Sequence, residues 1–103
     1  MAAHRVAAVA DVAPGTTLSV EVAGAGVLLC NVDGTIYAIE DVCTHDGGEL
    51  TGGVIQGREV ECPRHGARFD ITTGAALTPP AYEPTAKFPV KTEDGAVYTR
   101  DDR

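Results

Sequence analysis

The chain has 103 residues, enough for one hydrophobic core that buries roughly 65 % of the unfolded surface and too few for a second catalytic domain. Its Lys+Arg count of 8 against 15 Asp+Glu leaves a formal charge of -7. That excess repels nucleic acid and anionic lipid, and it suits a partner with basic patches or else serves solubility alone.

No apolar run approaches the roughly 18 residues of a membrane span, and the start MAAHRVAAVADVAPG has neither a basic segment nor a continuous apolar stretch, so a cytoplasmic protein without membrane contact is expected. With 12 Gly and 6 Pro, turns are frequent, which favours strands over helices. In the first ten residues Val6 and Val9 stand at helical spacing, yet Pro14-Gly15 closes the segment so early that a strand is expected. Leu18, Val20 and Val22 then alternate with Thr17, Ser19 and Glu21, the period-two pattern of a half-buried strand. Residues 27–32, the turn Asp33-Gly34 and residues 35–40 read as a hairpin, because Asp-Gly supplies the positive φ that such a turn requires.

Val54-Ile55 and residues 58–62 are expected to pair around Gln56-Gly57, with Val60 and Cys62 facing one way and Glu59 and Glu61 the other. That pairing delivers Cys62 to a strand end. Residues 67–71, 87–91 and 96–100 are three further strand candidates, punctuated by Thr73-Gly74, the loop LTPPAYEP and Asp94-Gly95. No convincing helix, repeat or linker is present.

Three cysteines cannot make an all-disulfide framework, and a reducing compartment leaves thiols available for metal. The sequence reads Cys43-Thr44-His45, then 16 intervening residues, then Cys62-Pro63-Arg64-His65. Two separate loops thus each offer one thiol and one imidazole. A [2Fe-2S] cluster with two thiolates on one iron and two neutral nitrogens on the other needs that mixture. Such a centre is neutral when oxidised and carries one negative charge when reduced, and imidazole in place of thiolate lifts its potential above that of all-cysteine ferredoxins. Zinc is the alternative, since paired Cys and His ligands are a common structural site, although zinc modules usually pair like with like while each loop here is mixed. Gly47, Gly48 and Gly66 flank the candidates, either as turn formers or where backbone N–H groups approach the sulfides.

The stretch CTHDGGELTGGVIQGREVECPRHGARFDITTG resembles the double-box signature of the Rieske family, and from about Arg5 to Arg100 the chain is similar to the small ferredoxins of bacterial Rieske non-haem iron oxygenase systems. The resemblance implies an all-β fold, a Rieske-like antiparallel β-sandwich or barrel of short strands, in which two loops at about 42–50 and 62–69 form a cluster-binding subdomain of a single domain spanning 1–103. It implies one [2Fe-2S] cluster on Cys43, His45, Cys62 and His65, shielded by the loop at Pro79-Pro80. Respiratory members carry one further cysteine in each box, linked as a disulfide, where this chain has Gly48 and Arg64. They also carry hydroxyl donors after the second box, where this chain has Ala67 and Phe69. Fewer donors imply a potential nearer about -150 mV than about +300 mV.

A Rieske oxygenase reacts at a separate iron held by two His and a carboxylate, and with His45 and His65 used only His4 of the 3 histidines remains. No catalytic residue is therefore expected. The resemblance implies a one-electron carrier, a monomer, that takes electrons from a flavin-containing ferredoxin reductase and passes them to a terminal Rieske oxygenase. Their shared route would be a surface edge where the unligated ring nitrogens of His45 and His65 lie. The Rieske-like small subunit of an assimilatory nitrite reductase and a zinc module without redox activity stay open as alternatives. Of the remaining candidates, Cys30 reads as core, His4 as a solvated terminus, Gly24-Ala25-Gly26 as a turn that lacks the third glycine of a dinucleotide site, and Glu59 and Glu61 as solvated charges.

Overall fold

A computed structural model describes residues 3–44, 46–64 and 66–102. Among them the strands are β1 (His4–Ala8), β2 (Thr17–Val22), β3 (Ala25–Val32), β4 (Thr35–Glu40), β5 (Ile55–Gln56), β6 (Glu59–Glu61), β7 (Arg68–Asp70), β8 (Lys87–Phe88), β9 (Val90–Glu93) and β10 (Ala96–Thr99), with one 3-10 turn at Val9–Asp11. The expected all-β architecture is present. Three sheets form, in the orders β1-β10-β9, β2-β3-β4-β8 and β5-β6-β7, and all their pairings are antiparallel.

The middle sheet is covered on both faces, and β3 shows why its sequence is apolar but for one residue. Successive side chains of a strand point to opposite faces, so Leu28, Cys30 and Val32 enter one core together with Ile39, Phe69 and Ile71. Val27 and Leu29 enter the other, with Val22, Ala38, Phe88 and Val97. Burying each such aliphatic side chain is worth about 2 kcal/mol. The one polar residue of the run, Asn31, is buried but satisfied: its Nδ2 donates to the Val12 carbonyl at 2.7 Å and its Oδ1 accepts the Gly34 N–H at 2.8 Å.

Local turn chemistry decides the hairpins. Between the paired residues Val32 and Thr35, Asp33 and Gly34 have φ of 53° and 93°. Between Glu93 and Ala96, Asp94 and Gly95 have φ of 51° and 76°. Positive φ at both central residues matches the right-handed twist of the flanking strands. Of Gly24-Ala25-Gly26, expected as a turn, only Gly24 lies in one: the turn is Ala23-Gly24, between the paired Val22 and Ala25, and Ala25 and Gly26 already belong to β3.

Two further expectations need correction. Gln56 pairs with Glu59, so the β5–β6 turn is Gly57-Arg58, one residue later than Gln56-Gly57. Only Gly57 there has positive φ, 61°, which suits a turn with glycine at its first central position. The single strand expected over 87–91 is two: β8 pairs with β4 and β9 pairs with β10. Pro89 stands between them without an N–H to donate, and there the chain leaves one sheet for another.

Candidate metal centre

Cys43 opens one loop and Cys62 the other, and both loops are closed by the same pair of backbone hydrogen bonds. The Cys43 N–H donates to Gly48 O at 2.7 Å while Gly47 N–H donates back to Cys43 O at 2.8 Å. The Cys62 N–H donates to Ala67 O at 2.7 Å while Gly66 N–H donates back to Cys62 O at 3.1 Å. Gly47 and Gly66 each have φ of 75°, a left-handed conformation that costs a residue with a Cβ about 1–2 kcal/mol. Each loop is thus a tight knuckle with a cysteine at the same place.

Both side chains turn inward. Cys43 is 0 % and Cys62 1 % exposed, and they share one buried cluster with Leu50, Val60, Ala67 and Phe69. Burial of Cys62 follows from β6, where Val60 is buried and Glu59 and Glu61 are only partly so, the alternation expected from sequence. Glu59 and Glu61 are not merely solvated: Arg68 on β7 lies 3.5 Å and 3.4 Å from their carboxylates.

The first loop is held by side chains to which the sequence reading assigned no such contact. Asp41, buried just before Cys43, accepts the N–H groups of Leu50 and Thr51 on Oδ1 at 2.7 and 2.9 Å. Its Oδ2 accepts the hydroxyls of Ser19, at 3.2 Å, and Thr51. Thr44 Oγ1 donates to Glu83 O at 2.6 Å, which ties the loop to the segment after Pro79-Pro80, a peptide bond in the cis form. Arg64, on the second loop, reaches across to the first: Nε and Nη2 donate to Asp46 at 2.8 and 3.0 Å, and Nη1 to Glu49 O at 2.7 Å. The Asp46 hydrogen bond holds the Arg64 guanidinium above its ordinary range, and the charge of Asp46 raises it further.

The flanking glycines act through turn geometry. Gly47 and Gly66 donate to the cysteine carbonyls and Gly48 N–H donates to Asp46 Oδ1 at 2.9 Å, so of the two readings open for these glycines the hydrogen bonds support turn formation. Cys30 is core, as expected: it is fully buried in the same cluster as the other two cysteines. Burial, and then the charge of Asp41, pushes its thiol up to about 12, so it remains a protonated, small apolar side chain of the core. Ala67 and Phe69 are fully buried and bring no hydroxyl.

His45 and His65 lie outside the described residues, and so does the expected exposure of their rings. Among the described residues no cluster of three or more His, Cys, Asp or Glu side chains forms. The described half of the candidate set nevertheless fits a metal–sulfur group: two thiols, set by equivalent knuckles, converge in one dry apolar environment beside a cation. None of Cys30, Cys43 and Cys62 is disulfide-linked.

The Rieske [2Fe-2S] domain family matches residues 2–89. The ferredoxin component of the naphthalene 1,2-dioxygenase system of Pseudomonas putida is 41 % identical over 87 residues, 84 % of each chain. The structure of the ferredoxin of carbazole 1,9a-dioxygenase from Nocardioides aromaticivorans superimposes with a TM-score of 0.94 at 29 % identity, covering 99 % of this chain and 100 % of that one. A structure of the complex of reduced oxygenase and oxidised ferredoxin in carbazole 1,9a-dioxygenase matches with a TM-score of 0.89 at 35 % identity, over 95 % of this chain and 92 % of that one. From these likenesses and the paired cysteine knuckles it follows that the chain belongs to the Rieske [2Fe-2S] domain family, whose cluster is held by two cysteines and two histidines.

Proposed function

We propose that this chain is a one-electron carrier that accepts an electron from a flavin-containing ferredoxin reductase and delivers it to a terminal Rieske oxygenase acting on an aromatic or related compound. The ligands in this reading are Cys43, His45, Cys62 and His65. The observation that carries it is the pair of matched knuckles that bring Cys43 and Cys62 into one buried cluster. Ferredoxin components of dioxygenase systems among the relatives, and a ferredoxin in complex with its oxygenase, support the direction of electron flow.

When bound, the cluster supplies a reversible one-electron couple. The chain's own residues supply the setting. Leu50, Val60 and Phe69, all fully buried, keep water from the two thiols. The backbone hydrogen bonds of the knuckles and the Asp41 anchor fix the loops, so that a change of charge displaces few atoms. No residue acts as a catalyst: His4, the histidine left over, lies on β1 and is exposed. We read residues 1–103 as a single domain that works as a monomer in the cytoplasm. Among the described residues no helix is long and apolar enough to cross a membrane, and the charge of -7 suits basic docking patches on both partners.

The test is iron and acid-labile sulfide content together with EPR of the dithionite-reduced protein. Mixed nitrogen and sulfur ligation gives an average g below that of all-sulfur clusters, and changing both His45 and His65 to alanine is expected to abolish cluster and signal. Colourless protein with stoichiometric zinc, or a full cluster in the double variant, overturns the reading.

A further inference from the structure

Arg64 belongs to one cysteine loop by sequence and to the other by contact. Three of its nitrogens donate across the gap, two to Asp46 and one to Glu49 O. This bidentate fork is the stronger geometry for a guanidinium and a carboxylate, and lysine cannot reproduce it. Asp46 is itself fixed, since its Oδ1 also accepts the Gly48 N–H at 2.9 Å. Gly48 leaves room for the crossing: a Cβ there would sit 2.6 Å from Arg64 Cζ and Nη2 and 3.0 Å from Nε. The absence of a side chain at 48 and the guanidinium at 64 are therefore one feature, and it joins the two loops within the knuckles themselves.

We propose that Arg64, laid over Gly48 onto Asp46 and the Glu49 carbonyl, is a non-covalent clasp that holds the two cluster loops at a fixed separation, and that Arg64 and Asp46 act as opposed charges on the electron the loops accept. The inference rests on the ligand reading given above. Reduction adds one negative charge to the centre, which a nearby cation favours and a nearby anion disfavours. The side chains of Arg64 and Asp46 are 36 % and 26 % exposed, so salt screens both effects in part. Arg64 is a positioning residue, not a ligand.

Redox titration followed by EPR tests the charge role in R64Q and D46N. R64Q is expected to lower the midpoint potential and D46N to raise it, with both shifts shrinking as ionic strength rises. A brace without electrostatic influence gives no such opposition of sign. The holding role is read from bleaching of the cluster's visible absorption at high salt: R64K keeps the charge and stays near the parent midpoint, but loses the fork and bleaches several-fold faster. G48A, which pushes the guanidinium aside without changing any charge, is expected to bleach like R64K.

Shifts of the same sign in R64Q and D46N, or no shift in either, overturn the electrostatic part. Bleaching in R64K and G48A no faster than in the parent overturns the clasp. If R64Q takes up no iron, D46N and R64K decide the same two points. A parent protein without the mixed-ligand EPR signal refutes the ligand assignment and this inference with it, whereas a normal parent signal with unmoved variants refutes the clasp alone.

Discussion

The second cysteine loop closes a hairpin, with Glu61 of β6 paired to Arg68 of β7 across residues 62–67. The first loop leaves β4 at Glu40 and enters a stretch, 41–54, in which no described residue belongs to a strand. Their knuckles share one backbone pattern, so the difference lies in what holds each from outside. A ladder of backbone groups secures the second, and side chains secure the first: Asp41 beneath it, Thr44 toward Glu83, and Asp46 toward Arg64. A site built from equivalent halves can thus be robust on one side and sensitive to single substitutions on the other.

The largest effect should come from Asp41→Ala. It leaves the N–H groups of Leu50 and Thr51 without their carboxylate, and losing acceptors for buried donors is expected to lower stability by about 3 kcal/mol in urea unfolding of the holoprotein. Arg68→Ala is the control at the second loop. Its pairs with Glu59 and Glu61 are partly exposed, so the loss should stay within about 1 kcal/mol. Equal losses in the two variants would erase the contrast between the loops.

Gly53→Ala probes the place where the first loop's exit crosses the strand that leads into the second. A Cβ at 53 would lie 2.1 Å from Glu61 O, a backbone atom that cannot swing away, and overpacking of this kind is expected to cost about 2 kcal/mol. Thermal unfolding with early cluster loss is the readout. A neutral effect would mean that the two segments move apart without penalty.

Gly47→Ala and Gly66→Ala address the shared knuckle itself. Both positions have φ of 75°; among the described residues a Cβ at 47 meets nothing within 4 Å, and one at 66 meets only Glu61 Oε1 at 4.0 Å. Conformational strain alone should set the cost, about 1.5 kcal/mol and nearly the same in both loops. Clearly unequal losses in matched denaturation curves would show that the two knuckles are equivalent in hydrogen bonding but not in energy.

What could be read from sequence was local. Asp33-Gly34 and Asp94-Gly95 carry their turn geometry in two residues, and the alternation of Val60 and Cys62 against Glu59 and Glu61 places a thiol on the buried face of β6. The two boxes announce themselves by spacing. The anchors do not, because Asp41, Thr44 and Arg64 find partners 10, 39 and 18 residues away, distances at which no period or turn rule operates. Arg64 is the instructive case: from sequence it marks only a missing cysteine, while in the fold it reaches the loop that a disulfide would have reached. The split at Pro89 was hidden for a related reason, since a strand candidate says nothing about which sheet each half will join.

The smallest effect concerns the potential and turns on the residue that ends each knuckle. In the first loop that residue is Gly48, roofed by Arg64, where any side chain would strike the guanidinium. In the second it is Ala67, fully buried in the cluster that holds both Cys43 and Cys62. Only the second loop can therefore accept a new hydroxyl beside the sulfur atoms without dismantling a contact between the loops. One added donor of ordinary strength, ~0.7 kcal/mol in favour of the reduced state, corresponds to about 30 mV for a single electron, so Ala67→Ser should raise the midpoint by that order. Gly48→Ser offers the same hydroxyl, but at the cost of the Arg64 crossing, and should gain less and lose its cluster sooner. A midpoint that rises equally in both variants would show that the two ends are interchangeable, and an unmoved Ala67→Ser would remove the lack of a hydroxyl donor as a reason to expect a low potential in this chain.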